Sequence, residues 1–307
     1  MPQLPPHRRA PAAAMLAAAA VAPALAGDPA PLTLGDPLAK VSFSLALESS
    51  FTTESDLSDS GSVSVARLGP SLGVRYAPAE TSFIDVNFGA EYSFYEFDDA
   101  TGIVPGGDPA DDFAEYVLGA RYTGRVNEQW WWFVGGNASW AAEDGASLGD
   151  GFTASGMLGA TYAINPRLSI GAGLVVRSRI EDDALVYGLP VINWKINDQW
   201  TLETVSNALR LSYAPSEDWA VYVAGGWESR EFRLSEDGPI PDGVMRDDRI
   251  PIVLGAILRP GENIEFDIAA GSAVWGQYEF RDTTGAEIAD ADADPALLAM
   301  ITARLRF

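Results

Sequence analysis

The chain has 307 residues, 43 acidic against 20 basic side chains, and a formal charge of −23. It contains no cysteine and one histidine, His7, which excludes disulfides, thiolate metal sites and cysteine nucleophiles. The acid excess argues against a nucleic-acid partner, because phosphate contacts need clustered Lys and Arg; the 47 % of apolar residues is too many for a disordered acidic chain.

Residues 1–26 open with basic His7, Arg8 and Arg9, continue through an Ala-rich apolar run from Ala10 to Val21, and end on Ala24-Leu25-Ala26. Small residues flanking one larger one suit the narrow pockets of a signal peptidase, so the segment predicts an export signal cleaved after Ala26. Cleavage would remove two arginines, no acid and the histidine, leaving a charge of −25. A chain without His or Cys has no Ser-His-Asp triad, no His-ligated zinc and none of the usual proton shuttle. No catalytic residue, metal or cofactor is therefore assigned. Residues 27–39, with Pro29, Pro31 and Pro37, read as an extended linker. Residues 40–307 form one domain.

From residue 40 the apolar period is two. In 81–97, Ile84, Val86, Phe88, Ala90, Tyr92 and Phe94 alternate with Asp85, Asn87, Gly89, Glu91 and Ser93. In 112–126, Ala114, Tyr116, Leu118 and Ala120 oppose Glu115, Gly119 and Arg121. In 130–142, Trp130, Trp132 and Val134 oppose Trp131, Phe133 and Gly135. The segment 264–280 sets Ile264, Phe266 and Ile268 against Glu265, Asp267 and Ala269, and 296–307 sets Leu297, Ile301, Leu305 and Phe307 against Arg304 and Arg306. This is strand periodicity. The segments are longer than ordinary strands of about 5 to 6 residues and match the roughly 9 to 11 needed to cross a bilayer at a tilt.

Short connections (77–80, 127–129, 165–167, 197–199, 215–218, 260–263) alternate with longer ones that hold much of the acid, such as 97–112 and 281–295. Twelve segments are long enough to cross. The stretch 200–214 starts and ends beside short turns, so it reads as a stunted hairpin bending near 205–207, next to Pro190, which predicts local irregularity. In hydrocarbon every backbone N–H and C=O needs an internal partner, so the sheet must close. The prediction is an all-β, transmembrane, antiparallel up-and-down barrel of about 14 strands, or of 12 with the hairpin tucked inward.

The face opposite the lipid would carry Arg67, Arg75, Asp85, Glu91, Glu115, Arg121, Arg125, Arg177, Arg179, Arg210, Glu228, Arg230, Glu265, Asp267, Glu279, Arg304 and Arg306. Both signs occur, which fits either a lumen cross-braced by Arg–carboxylate pairs or a water-filled passage. Eight-stranded barrels are filled by side chains and barrels of about 16 to 18 strands are open. Inward Phe83, Trp131, Phe133, Tyr222 and Trp275 would narrow the bore between those limits. Asp290-x-Asp292-x-Asp294 looks like the start of a calcium loop, but Pro295 replaces the needed Gly and Ile301 the bidentate Glu.

The closing strand ending in Phe307 resembles the signal read by the bacterial barrel-assembly machinery. Leu189-Pro190 through Trp194, Leu211-Ser212-Tyr213 with Ser216 and Trp219, Glu231-Phe232-Arg233-Leu234, Asp242-Gly243-Val244, Arg246-Asp247, Arg249-Ile250-Pro251, Asp292 to Ala296, and Arg304 to Phe307 are similar to a family of uncharacterised outer-membrane barrels classed as a domain of unknown function. The resemblance covers roughly 185–307, implies a Gram-negative outer membrane, and supplies no catalytic residue. Arg233 and Asp247 flank one outer loop and suggest a structural clasp. The expected function is a narrow channel for small solutes, with lipid, lipopolysaccharide and the assembly machinery as partners. The rival is a structural or surface-interaction barrel with a sealed lumen; a lipid-acting enzyme is a third class.

Overall fold

The structure, a computed structural model, describes residues 41–58, 60–104 and 108–307. The predicted signal, its cleavage at Ala26 and the linker lie outside these. Among the described residues all regular structure is strand: β1 (Val41–Asp56), β2 (Ser62–Ala79), β3 (Ser82–Asp98), β4 (Asp112–Arg125), β5 (Trp130–Glu143), β6 (Phe152–Asn165), β7 (Leu168–Arg179), β8 (Asp182–Lys195), β9 (Trp200–Val205), β10 (Ala208–Tyr213), β11 (Trp219–Gly226), β12 (Glu228–Arg233), β13 (Val244–Gly261), β14 (Ile264–Arg281), β15 (Glu287–Ala293) and β16 (Ala296–Arg306).

Consecutive strands pair antiparallel except β11 with β12 and β15 with β16, and the ring closes where β16 pairs with both β1 and β14. Two places in the ring are each filled by a broken strand. β11 and β12 both lie on β13 in unbroken register, Gly225 opposite Ile252 and Glu228 opposite Arg249, with the break at Trp227. β15 and β16 share one side of β14. The sixteen strands thus occupy fourteen positions, as the spacing predicts, with β9–β10 built into the wall between β8 and β11 rather than tucked inward.

The faces are those of a membrane barrel. Leu45, Leu72, Phe88, Leu118, Leu158 and Leu254 point outward and are 43 % to 68 % exposed — a continuous apolar band that a water-facing surface would not carry. Aromatic pairs bound it: Trp130–Tyr162, Tyr122–Trp132 and Trp200–Tyr213 at the short-turn end, Tyr92–Tyr116 and Trp140–Phe152 at the loop end. Charged side chains such as Arg67, Glu91 and Glu115 face inward and are buried.

In the loop half the wall changes. At Trp227 the chain leaves the wall and β12 leans across the lumen to meet β5, Arg233 lying parallel to Ala142. With the outer parts of β13, β14 and β15 it forms a layer inside the barrel mouth. One face of this layer (Phe232, Met245, Tyr278, Phe280, Ala291) packs on Val63, Val65, Tyr95, Phe97, Phe113 and Ala141, with Ile103, Val104 and Ile240 from the loops closing the cluster. Tyr95 is its hub, with ring centroids 5.3 Å from Phe113, 6.2 Å from Phe232 and 6.3 Å from Tyr278. At about 1.5–3 kcal/mol per fully buried large side chain, this apolar plug anchors the layer.

β14 carries an extra residue at Val274: Ile250 is opposite Trp275, but Pro251 is opposite Ala273. A one-residue insertion flips every side chain beyond it. Glu265 and Asp267 therefore face the lumen, as predicted, whereas Glu279 and Trp275, predicted on the same face, stand on the other face of the layer. The alternation read from 264 upward carries no mark of the bulge.

Candidate functional site

The turn half of the lumen is lined by charges that find partners across neighbouring strands. The register sets Arg75 opposite Asp85 and Asp85 opposite Arg121, and Asp85 accepts from Arg75 at 2.5 Å and Arg121 at 2.9 Å. Glu265 accepts from Arg304 at 2.9 Å, Arg259 at 3.0 Å and Arg306 at 3.4 Å. The hairpin pairs Arg210 with Glu203 at 3.0 Å, and Tyr222 donates to Asp267 at 2.7 Å. Tyr222 lies across Gly255, where any Cβ would collide with its ring. Phe83 stacks on Trp131 at 6.1 Å. Arg125 and Arg306 are exposed at the rim rather than inside.

Halfway up, Arg230 donates to Glu91 at 2.7 and 3.2 Å and to Glu228 at 2.9 Å, while Glu115 accepts from Ser139 at 2.5 Å. Asp247, 1 % exposed, accepts from Arg67 and Tyr95, each at 2.6 Å, and from Arg249. These bonds pin β13 of the inner layer to β2 and β3.

The other face of the layer carries a second lattice. Glu231 accepts from Arg179 and Arg246, both at 2.8 Å; Arg246 also reaches Glu279 at 2.6 Å and Asp182 at 3.2 Å, and Arg179 reaches Asp182 at 2.7 Å. Arg177 donates to the Ser229 carbonyl at 3.4 Å. This lattice ties the layer to β7 and β8. The expected Arg233–Asp247 clasp does not form. The register sets Arg233 opposite Val244 and Asp247 opposite Arg230, so the two stand on opposite faces; Arg233 instead binds Glu181 at 2.6 Å and the Asp242 carbonyl at 2.6 Å.

Between the halves the wall is incomplete. β8 pairs with β9 only over Asn193–Lys195, and β9 and β10 have six residues each. The ladder ends where Thr204 Oγ1 accepts from the Ile192 N–H at 3.1 Å and donates to the Pro190 carbonyl at 3.2 Å. N–H groups alternate sides along a strand, so Pro190, Gly188 and Val186 face the same side as Ile192. Proline has no donor to offer there, and among the described residues no strand pairs with that edge above it.

Sequence reasoning placed most lumen residues by parity alone. It passed over Glu48, which lines the wall opposite outward Leu45 and Leu47, and Glu203, which parity within the stunted hairpin marks as Arg210's partner. Arg246 and Arg249 were visible only as motif residues. A cavity of about 530 Å³ lies under the acidic loop, lined by Phe94, Tyr95, Glu96, Asp108, Asp111 and Glu143. Among the described residues no cluster of acids could hold a metal ion.

No protein-family model and no curated protein matches the chain. Solved structures do. A mutant of TodX, a monoaromatic hydrocarbon channel, aligns at a TM-score of 0.50 and 9 % identity over 90 % of this chain and 93 % of its own. The COG4313 outer membrane channel from Pseudomonas putida F1 aligns at 0.50 and 7 % over 90 % and 99 %. LpxR from Salmonella typhimurium aligns at only 0.36, with 13 % identity over 84 % and 99 %. At such identities the likeness establishes the fold, that of outer-membrane barrels.

Proposed function

We propose that this chain is an outer-membrane channel for small solutes and not an enzyme. The observation that carries the reading is the turn half of the lumen: charged pairs, Asp85 with its two arginines and Glu265 with Arg259 and Arg304, line the bore beside a small apolar cluster of Tyr222, Val253 and Ile257. Such paired charge favours a wetted vestibule over a hydrophobic core. The plug above it makes the passage narrow. The printed descriptions of the aligned structures, a monoaromatic hydrocarbon channel and an outer membrane channel, support small, weakly polar solutes as the class. Acyl chains and lipopolysaccharide would surround the apolar band, and Phe307 would serve the assembly machinery.

The second reading, a sealed structural barrel, is favoured by the plug and its two ion-pair lattices. Purified protein in planar lipid bilayers separates the two. Discrete current steps of small amplitude support the channel. Silence across many confirmed insertions, together with no uptake of a small aromatic solute into vesicles beyond the protein-free rate, would leave the sealed barrel.

A further inference from the structure

We propose that the channel has a lateral portal: solutes pass through its wall, between the free edge of β8 and the inner layer of β12 and β13. The inference rests on the channel reading and adds the route and the solute chemistry.

The break lies at bilayer depth. Gly188 shares a rung with Leu174 and Leu158, which are 46 % and 61 % exposed on the lipid-facing band, between the Trp–Tyr girdle below and the Trp140–Phe152 pair above. Hydrocarbon offers backbone groups no partner, so an unpaired strand edge at this depth must line a cleft holding water or solute. The edge groups of Val186 and Gly188 are in that position.

Across the cleft stands the outer face of the layer, ordered in rungs by the β12–β13–β14 register. The lowest rung is apolar: Trp227 stacks on Trp275 at 4.9 Å, beside Ile250. The next, Ser229–Asp248–Gln277, is polar, and Trp227 Nε1 and Asp248 Oδ1 find no hydrogen-bond partner among the described residues. Above them the Glu231–Arg246–Glu279 lattice closes the axial way out. The apolar rung under a polar one fits a small molecule with an aromatic or aliphatic body and one hydrogen-bonding end. The axial mouth is plugged and latticed, so the wall is the open side.

The absence of native cysteine allows a direct test. A Cβ at Gly188 would meet nothing within 4 Å, so Gly188→Cys folds; Val186→Cys, on the same edge, is the second probe site. Leu158→Cys, on the same rung but in a strand paired on both sides, is the control. Each variant, with and without fluorescein maleimide, is placed in vesicles with a lipopolysaccharide outer leaflet and a phosphatidylethanolamine inner leaflet, and p-cresol uptake is followed. Labelling at 188 and 186 is expected to cut uptake to the protein-free rate while labelling at 158 leaves it at the unlabelled rate. Unchanged uptake after labelling at 188 and 186, with the unlabelled protein active, overturns the portal and keeps the channel. Uptake by the unlabelled protein no faster than in protein-free vesicles, with no current in planar bilayers, overturns both.

Discussion

Replacing Asp247 by alanine should loosen the inner layer from the wall. Asp247 is the one carboxylate between Arg67 and Arg249, and it also accepts from Tyr95. A hydrogen bond to a charged group contributes about 1.5–3 kcal/mol, and stripping one partner from a buried ion pair costs about 3–5 kcal/mol. Two residual contacts moderate the loss: Arg67 keeps Glu91 at 3.7 Å, and Arg249 keeps Thr52 at 3.1 Å. The expected cost is therefore near the low end, about 3 kcal/mol, or roughly a hundredfold in an equilibrium constant. Urea unfolding in lipid vesicles should show a lowered midpoint, and planar bilayers should show larger or more frequent current steps as the layer detaches. Asp247→Asn keeps an acceptor but not the charge and should fall between. Wild-type stability and wild-type current in Asp247→Ala would refute the assignment of this carboxylate as the pin of the plug.

Glu231→Ala should cost less, about 1–2 kcal/mol in the same unfolding assay, because Arg179 keeps Asp182 and Arg246 keeps Glu279 and Asp182; a loss equal to that of Asp247→Ala would mean the two lattices are equivalent. Deleting Val274 removes the extra residue and leaves Ala273 opposite Pro251 and Trp275 opposite Ile250, so Glu279 and Arg281 should keep their face and the heat-modifiable band on gels should survive; loss of that band would show that the bulge itself is needed for the layer to form. Phe307 stacks on Phe43 at 6.0 Å and exchanges backbone bonds with it at 2.7 and 3.0 Å, so Phe307→Ala should lose about 0.5–1.5 kcal/mol of ring contact, while a much larger fall in the folded yield in cells would point to the assembly step.

Period two was enough to read the barrel. Outward Phe88 and Leu118 against inward Glu91 and Glu115 fix both the strands and their faces, and placing 200–214 between two short turns forces a stunted hairpin. Features that depend on a single residue were not legible. Val274 looks like any strand residue, so nothing in 264–280 shows that Glu279 changes sides. Gly225-Gly226 stand just before the break at Trp227 and mark local curvature, but nothing there shows that β12 swings inward; that follows from Phe232 and Met245 finding partners on distant strands. β15 hides in an acidic loop because its inward residues are Ala289, Ala291 and Ala293, too weakly apolar to stand out against Asp290 and Asp292. Pro190 did signal irregularity, and its reason is now structural: it sits where the β8 ladder stops.

The incomplete wall can be read most directly from residue-resolved amide hydrogen exchange of the protein in lipid nanodiscs. The N–H groups of Leu185, Tyr187 and Leu189 face β7 and should be protected, while those of Val186 and Gly188 face the unpaired edge and should exchange quickly, giving an alternating profile along β8. Uniform protection from 185 to 189 would mean that the edge is paired and the wall complete.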